Sequence, residues 1–344
     1  MTQKDIEKLT KQILSSIDRE REREIISRRY GLYDRKETLE QIGELLGITR
    51  ERVRQLEKAT MTRLRLNAEA GEIVGLKESE AEIIEALKLL GNIARVTKLS
   101  DVLTGETSSK IEQSKLSFIA DLSPKLCVIS DNDNFFQSIA INGLHDDKKI
   151  TEHVNNIIEA LKKIGKPTDT GELLAHTKQK DALHIEALAS TSKGLATLNQ
   201  KWGLIKWPTV NPKNIRDKIY VILQQHGKHM HFSEISDAIK GSDFKRKDVT
   251  TQAIHNELIK DKRFVLIGRG IYALKEWGYK KGTVADIITQ VLKDAGEPLH
   301  RDEIVKRVLK SRYVKETTIL LNLQGKDQFK RVSKATYALN EASK

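Results

Sequence analysis

Arg50, Glu51, Arg52, Arg54 and Gln55 form the densest group in this sequence able to read a patterned polar surface. Arg can pair bidentately with guanine, Gln with adenine, and Glu can accept from the N4 amine of cytosine. Such side chains meet base edges when they stand at the exposed N-terminal end of a helix lying in the major groove. A second group combines cations with amides and hydroxyls: Lys245, Arg246, Lys247, Thr250, Thr251, Gln252, His255 and Asn256, with Arg269 further on. Lys330, Arg331 and Lys334 make a third group, suited to phosphates. His226, His229 and His231 have a spacing that could hold a metal, but no acidic or cysteine partner lies beside them, so we expect an exposed turn and no metal.

The elements that must position the first group can be read from caps and periodicity. Thr38 can cap a helix, and Gln41 three residues on completes a capping box. Leu39, Ile42, Leu45 and Leu46 then fall on one face, and Gly47 ends the helix in a tight turn. Thr49 can cap a second helix, running to Leu66, whose buried stripe is Val53, Leu56, Ala59 and Leu64. Two helices joined by so short a turn make a helix-turn-helix, with the polar group at the start of its second helix.

The stretch from residue 20 to 65 resembles region 4 of primary bacterial sigma factors, which reads the −35 promoter element. The residues that carry the resemblance are RERE, the following Ile, Ser and RYGL, then TLEQIGELLGITRERVRQLE and a closing RLR. The resemblance implies that Arg50, Glu51, Arg52, Arg54 and Gln55 contact −35-type bases and phosphates, with Arg28, Arg29 and Thr38 near the DNA backbone. It departs at Lys58-Ala59-Thr60-Met61-Thr62, which replaces the usual basic, Ala/Leu-rich run. About 18 residues precede the match, too few for a sigma factor's core-binding and −10-melting regions. We therefore expect a region-4 module on another platform.

Behind it, one pattern occurs four times, from Ile83, Ile157, Ile219 and Ile287. An amphipathic helix ends at Gly91, Gly165, Gly227 or Gly296; a short extended piece, two more helices and a strand pair follow. Thr250–Ile259 and Thr317–Leu323 suit the third helix in the last two repeats, before the hairpins FVLIGRGIYAL and FKRVSKATYAL. Tyr272, Leu274, Trp277 and Tyr337 are expected in the hairpin cores. Helix–strand–helix–helix–hairpin is the winged-helix pattern. The expected fold is mainly α with small β-hairpins: a helix-turn-helix domain at 1–70, then tandem winged helices at 76–145, 151–210, 213–279 and 282–341. The third repeat resembles the HARE-HTH family through Phe232-Ser233-Glu234-Ile235, the helix from Val249 to Ile259, and RFVLIGRGIYALKEWGY. That resemblance implies that Arg269 sits on the wing and that the residues 245–256 named above face DNA.

Charge is uneven along the 344 residues. The net formal charge is +12, but residues 66–152 carry −6, while 211–281 carry +7 and 282–344 carry +4. A phosphate track needs excess cations, so the acidic repeat is the poorest DNA-binding candidate and is expected to face protein. A single cysteine, Cys127, sits in an apolar run and is expected in the core; it excludes a disulfide framework and a cysteine zinc site. No run approaches the roughly 20 apolar residues of a membrane span. No phosphate loop, HExxH or nucleophile elbow appears, so we expect no enzyme activity and no cofactor. The expectation is a cytoplasmic, nucleoid-associated bacterial transcription regulator whose partner is promoter-like double-stranded DNA. A delta-like subunit docked on core RNA polymerase is the main alternative, and a DNA-specificity accessory of a restriction or defence system the third.

Overall fold

Thr2 and Asp5 form a capping box that opens the first helix, α1 (Gln3–Ser15), which buries Ile6, Leu9, Ile13 and Leu14 along one stripe. The computed structural model describes all residues except 144–146, 178, 180, 245 and 341–344. It is mainly helical with small antiparallel sheets. Two units divide it, Met1–Lys206 and Trp207–Lys344.

In the first unit, α2 (Glu20–Tyr30), α3 (Leu39–Leu46) and α4 (Arg50–Ala70) follow α1. Thr38 and Gln41 form the expected capping box, and the Thr49 hydroxyl accepts from the Arg52 amide. Ile25, Ile42 and Val53 are fully buried where the three helices meet. Gly43 allows the tight crossing, because a Cβ there would sit 2.7 Å from the Ile48 carbonyl oxygen. Three expectations need correcting. Leu45 is 55% exposed, because it lies a residue step, roughly 100°, from the Leu46 side of α3. Ala59 is exposed, and Thr60 and Met61 are buried in its place, which fits a stripe running Val53, Leu56, Thr60, Leu64 at helical spacing. The helix also runs one turn past Leu66, to Ala70.

Next come α5 (Leu76–Leu89), β1 (Ile93–Arg95), α6 (Val96–Thr104), α7 (Lys110–Leu122), β2 (Leu126–Ile129) and β3 (Ser138–Ile141), with sheet order β1-β3-β2. One core joins these elements to the helix-turn-helix: Ile6, Ile13, Met61 and Leu64 pack in the same cluster as Ile83, Phe118 and Ile139. Cys127 is only half-buried, since it sits on outer strand β2 of that sheet. Then follow α8 (Asp147–Ile164), α9 (Thr170–His176), α10 (Ala182–Thr191), β4 (Leu195–Leu198) and β5 (Lys201–Leu204). The extended piece expected before α9 reduces to an isolated bridge between Thr168 and Trp202. Pro167 precedes it and has no N–H to extend a ladder.

The second unit contains α11 (Ile215–His226), β6 (Met230–His231), α12 (Phe232–Gly241), α13 (Thr251–Lys260), β7 (Phe264–Gly268) and β8 (Ile271–Leu274). It continues with α14 (Val284–Ala295), β9 (Leu299–His300), α15 (Arg301–Ser311), α16 (Glu316–Gly325), β10 (Phe329–Ser333) and β11 (Thr336–Leu339). Its sheets have the orders β6-β8-β7 and β10-β11-β9. Tyr272, Leu274 and Tyr337 are buried, whereas Trp277 is half-buried. No helix among the described residues is long and apolar enough to cross a membrane.

Candidate nucleic-acid interface

The N-terminal end of α4 presents Arg50, Glu51, Arg52, Arg54 and Gln55 to solvent, all five exposed. Thr49 satisfies one orphan amide of the first turn, and the remaining N–H groups give this end partial positive charge, which favours an approaching phosphate. The side chains are linked to one another. Arg54 donates twice to the Glu51 carboxylate, at 2.7 and 2.6 Å, and Gln55 donates to the same group at 3.3 Å. Arg52 reaches Gln55 at 3.4 Å, and Arg50 pairs with Glu40 at 2.8 Å. The Arg54 hydrogen bond holds the Glu51 carboxyl below its usual range, so this group is an acceptor at neutral pH. The row thus offers guanidinium donors, one amide and one carboxylate within two helical turns, the set that base edges require.

The three upstream candidates have internal roles. Arg28 bridges Glu24 and Glu37, Arg29 pairs with Glu57 and donates to the Glu37 carbonyl, and the Thr38 hydroxyl caps α3. These bonds hold the loop between α2 and α3 against α4, which makes the two arginines positioning groups before any contact with a phosphate. Glu22 was not singled out from sequence, yet it is a hub. It is 5% exposed and accepts from Arg63 at 2.7 Å, Arg19 at 3.2 Å and Thr60 at 3.3 Å. Burial pushes its carboxyl up, but Arg63, Arg19 and Thr60 outweigh that and hold it below the ordinary value.

In the second unit, Thr250 caps α13, Gln252 and Asn256 are exposed and bonded to each other at 3.2 Å, and Thr251 meets Ser236. His255 is half-buried between the rings of Phe232 and Tyr272. Lys245 lies outside the described residues. Arg246 and Lys247 are exposed, and Arg246 adopts a left-handed φ of +55°. A buried lysine explains how that turn is held: Lys218 donates from Nζ to the Arg246 carbonyl at 2.7 Å. Its one sequence signal is a lysine three residues after Ile215 and four before Ile222, at a position on the apolar stripe of α11 (Ile215–His226). Arg269 is exposed between β7 and β8, and Lys330, Arg331 and Lys334 are exposed on and beside β10. The three histidines do not converge: His231 caps α12, His229 stacks at 4.4 Å on Tyr313, and His226 ends α11 exposed.

Residues 19–66 match the family model described as Sigma-70, region 4. The same segment is similar to the RNA polymerase principal sigma factor HrdC of Streptomyces coelicolor, with 56% identity over 46 residues, 13% of this chain and 14% of that protein. It is 52% identical over 46 residues to RNA polymerase sigma factor SigA1 of Synechococcus elongatus, covering 13% and 12% of the two chains. SigA of a Nostoc species is 42% identical over 66 residues, covering 19% and 16%. The chain thus spans only 12–16% of the length of these relatives. A solved bacterial selenocysteine-specific elongation factor aligns over 74% of this chain and 37% of its own, at 15% identity and a TM-score of 0.21, too low to bear on the fold. Residues 19–66 carry a sigma-70 region 4 domain.

Proposed function

We propose that this chain is a DNA-binding regulator of transcription that reads a short −35-type promoter element through the N-terminal end of α4. The observation that carries the reading is the capped, exposed row Arg50, Glu51, Arg52, Arg54 and Gln55 inside a region 4 match over residues 19–66. The four repeats behind it are read as winged helices, the third of HARE-HTH type, which add DNA or protein contacts, those to DNA raising affinity by avidity. Repeated helix–helix–hairpin order and three-stranded sheets in three of the four support that reading. The protein acts in the cytoplasm, on the nucleoid, without enzymatic activity or cofactor.

Gel shifts of the full chain test this. Arg54→Ala or Gln55→Ala is expected to weaken binding to a −35-type duplex about tenfold or more and to erase preference over a scrambled one, whereas Arg331→Ala weakens both alike and flattens the salt slope. Equal loss on both duplexes in the first pair would sink direct readout. A second reading, contact with core RNA polymerase, is favoured by the relatives of residues 19–66 being named RNA polymerase sigma factors. Co-purification with core polymerase, run beside the gel shift, separates the two.

A further inference from the structure

The third helix of each repeat fills the same topological place in two opposite ways. Helix α7 buries seven of its thirteen residues and α10 six of its ten, while α13 and α16 each bury two of ten. The difference lies in what covers them. Against α7, Tyr30 packs edge-on at 4.9 Å from Phe118, and Asp121 accepts from Tyr30 at 2.5 Å and Arg65 at 2.8 Å. Helix α10 lies so close to the turn after α5 that a Cβ on Gly91 would sit 2.6 Å from the Leu183 carbonyl oxygen. His184 Nδ1 meets the Gly91 carbonyl at 2.7 Å, and just past the helix the Lys193 amide donates to Asn134 at 2.8 Å. A helix covered in this way cannot enter a groove without opening the core.

Helix α13 is the opposite case. Only Ile254 and Leu258 are buried; Gln252, Asn256 and Lys260 stand open, with Arg246 and Lys247 ahead of them. Helix α16 has a similar two-residue stripe but exposes Glu316 and Leu321, and Lys330, Arg331 and Lys334 stand exposed in the hairpin of that repeat. Charge sets apart the first repeat, −6 over 66–152 against +7 and +4 over 211–281 and 282–344, while 153–210, which holds α10, carries +3 and is set apart by burial alone. We infer that the chain touches duplex DNA at two places rather than five: through α4, and through α13 with the β10–β11 hairpin. In this scheme α7 and α10 are internal joints that fix the region 4 domain and two repeats into one body.

The inference rests on the proposed DNA-reading function, and its test compares exposed-residue variants of the full chain on a long duplex carrying a −35-type element. Gln252→Ala with Asn256→Ala is expected to weaken binding about tenfold or more. Arg331→Ala with Lys334→Ala should lower the slope of log K against log salt by about 2. Lys98→Ala with Lys110→Ala, on exposed cations of the acidic repeat, should change neither affinity nor slope. Hydroxyl-radical footprints should lose protection beside the element in the first two variants and keep it at the element. Loss of affinity in the Lys98/Lys110 pair equal to that in the others, or wild-type binding by both second-unit pairs, overturns the inference. Missing preference for the −35-type element, with the variant pattern intact, removes only the proposed sequence reading. No protection of any duplex removes both.

Discussion

Gly91, Gly165, Gly227 and Gly296 close the first helix of the four repeats with nearly the same backbone, φ between +69° and +91°, yet Gly91 alone has close neighbours. At the other three a Cβ would meet nothing within 4 Å. Alanine there has only the left-handed backbone to bear, about 1–2 kcal/mol. At Gly91 the same strain adds to a Cβ placed 2.6 Å from the Leu183 oxygen and 2.9 Å from the Ala187 Cβ. The first obstacle is backbone, so α10 must shift bodily, an overpacking cost of about 1–3 kcal/mol. The shift also stretches the 2.7 Å contact between His184 and the Gly91 carbonyl, about 1 kcal/mol more. Gly91→Ala should therefore cost about 3–6 kcal/mol and Gly165→Ala, in the same unit, about 1–2 kcal/mol. For a unit of this size, roughly 2–4 °C of melting temperature per kcal/mol makes the gap between them at least about 4 °C. Differential scanning calorimetry of the full chains measures it, and hydrogen exchange should show the extra opening at α10. Equal melting temperatures for the two variants would refute the claim that α10 is locked on Gly91.

Three other expectations can be checked on the same material. Burial and the Asp121 charge push the Tyr30 phenol well above its usual value. A pKa raised in the fold gives stability that is present below about pH 10 and lost as pH climbs past it, so the melting temperature should fall in strong alkali, and less so in Tyr30→Phe. Hydrogen bonds hold Glu22 below its ordinary value despite burial, so its contribution is present above about pH 4.3 and lost as pH falls. Glu22→Gln should cost about 1–3 kcal/mol at neutral pH and flatten the acid limb of a melting curve; an unchanged acid limb would count against the hub. Lys218→Met removes the donor that holds the Arg246 carbonyl, and tryptic cleavage after Arg246, followed by mass spectrometry, should quicken several-fold. An unchanged rate would show that the turn at Arg246 is held without Lys218.

Local chemistry made much of this legible. Thr38, Gln41 and Thr49 cap where a capping box and a threonine before a polar turn say they must, because caps depend on residues three apart in sequence. The exposed row from Arg50 to Gln55 follows from the same phase. Burial by a partner element does not follow, because periodicity reports which face is apolar and not what covers it. Helix α10 and helix α16 show this: both are apolar over most of their circumference, yet α10 buries six of its ten residues while α16 buries two and leaves Leu321 68% exposed. Lys218 and Glu22 were missed for a related reason. A charge inside an apolar stripe announces that it has a partner, but the partners, Arg246 at 28 positions' distance and Arg63 at 41, are set by tertiary packing.

The run Lys58–Thr62, where the sequence departs from the region 4 pattern, can now be assigned a physical role. Thr60 donates to buried Glu22, and Met61 enters the core shared with α1 and the acidic repeat. Leu64 and Ala68 continue into that core, so the two halves of α4 do different work. The half from Arg50 to Gln55 has only Val53 fully buried and is free to exchange its exposed contacts for bases. The half from Thr60 to Ala68 is a strut that ties those contacts to the body behind them. Substitutions should therefore separate by position along one helix: exposed changes before Leu56 alter which DNA is bound at unchanged stability, and changes at Met61 or Leu64 lower stability while leaving sequence preference intact. Met61→Ala, 4% exposed in the wild type, should cost about 2–5 kcal/mol. The folded fraction should still prefer the same duplex; a shift in that preference would mean that the second half of α4 reads DNA as well.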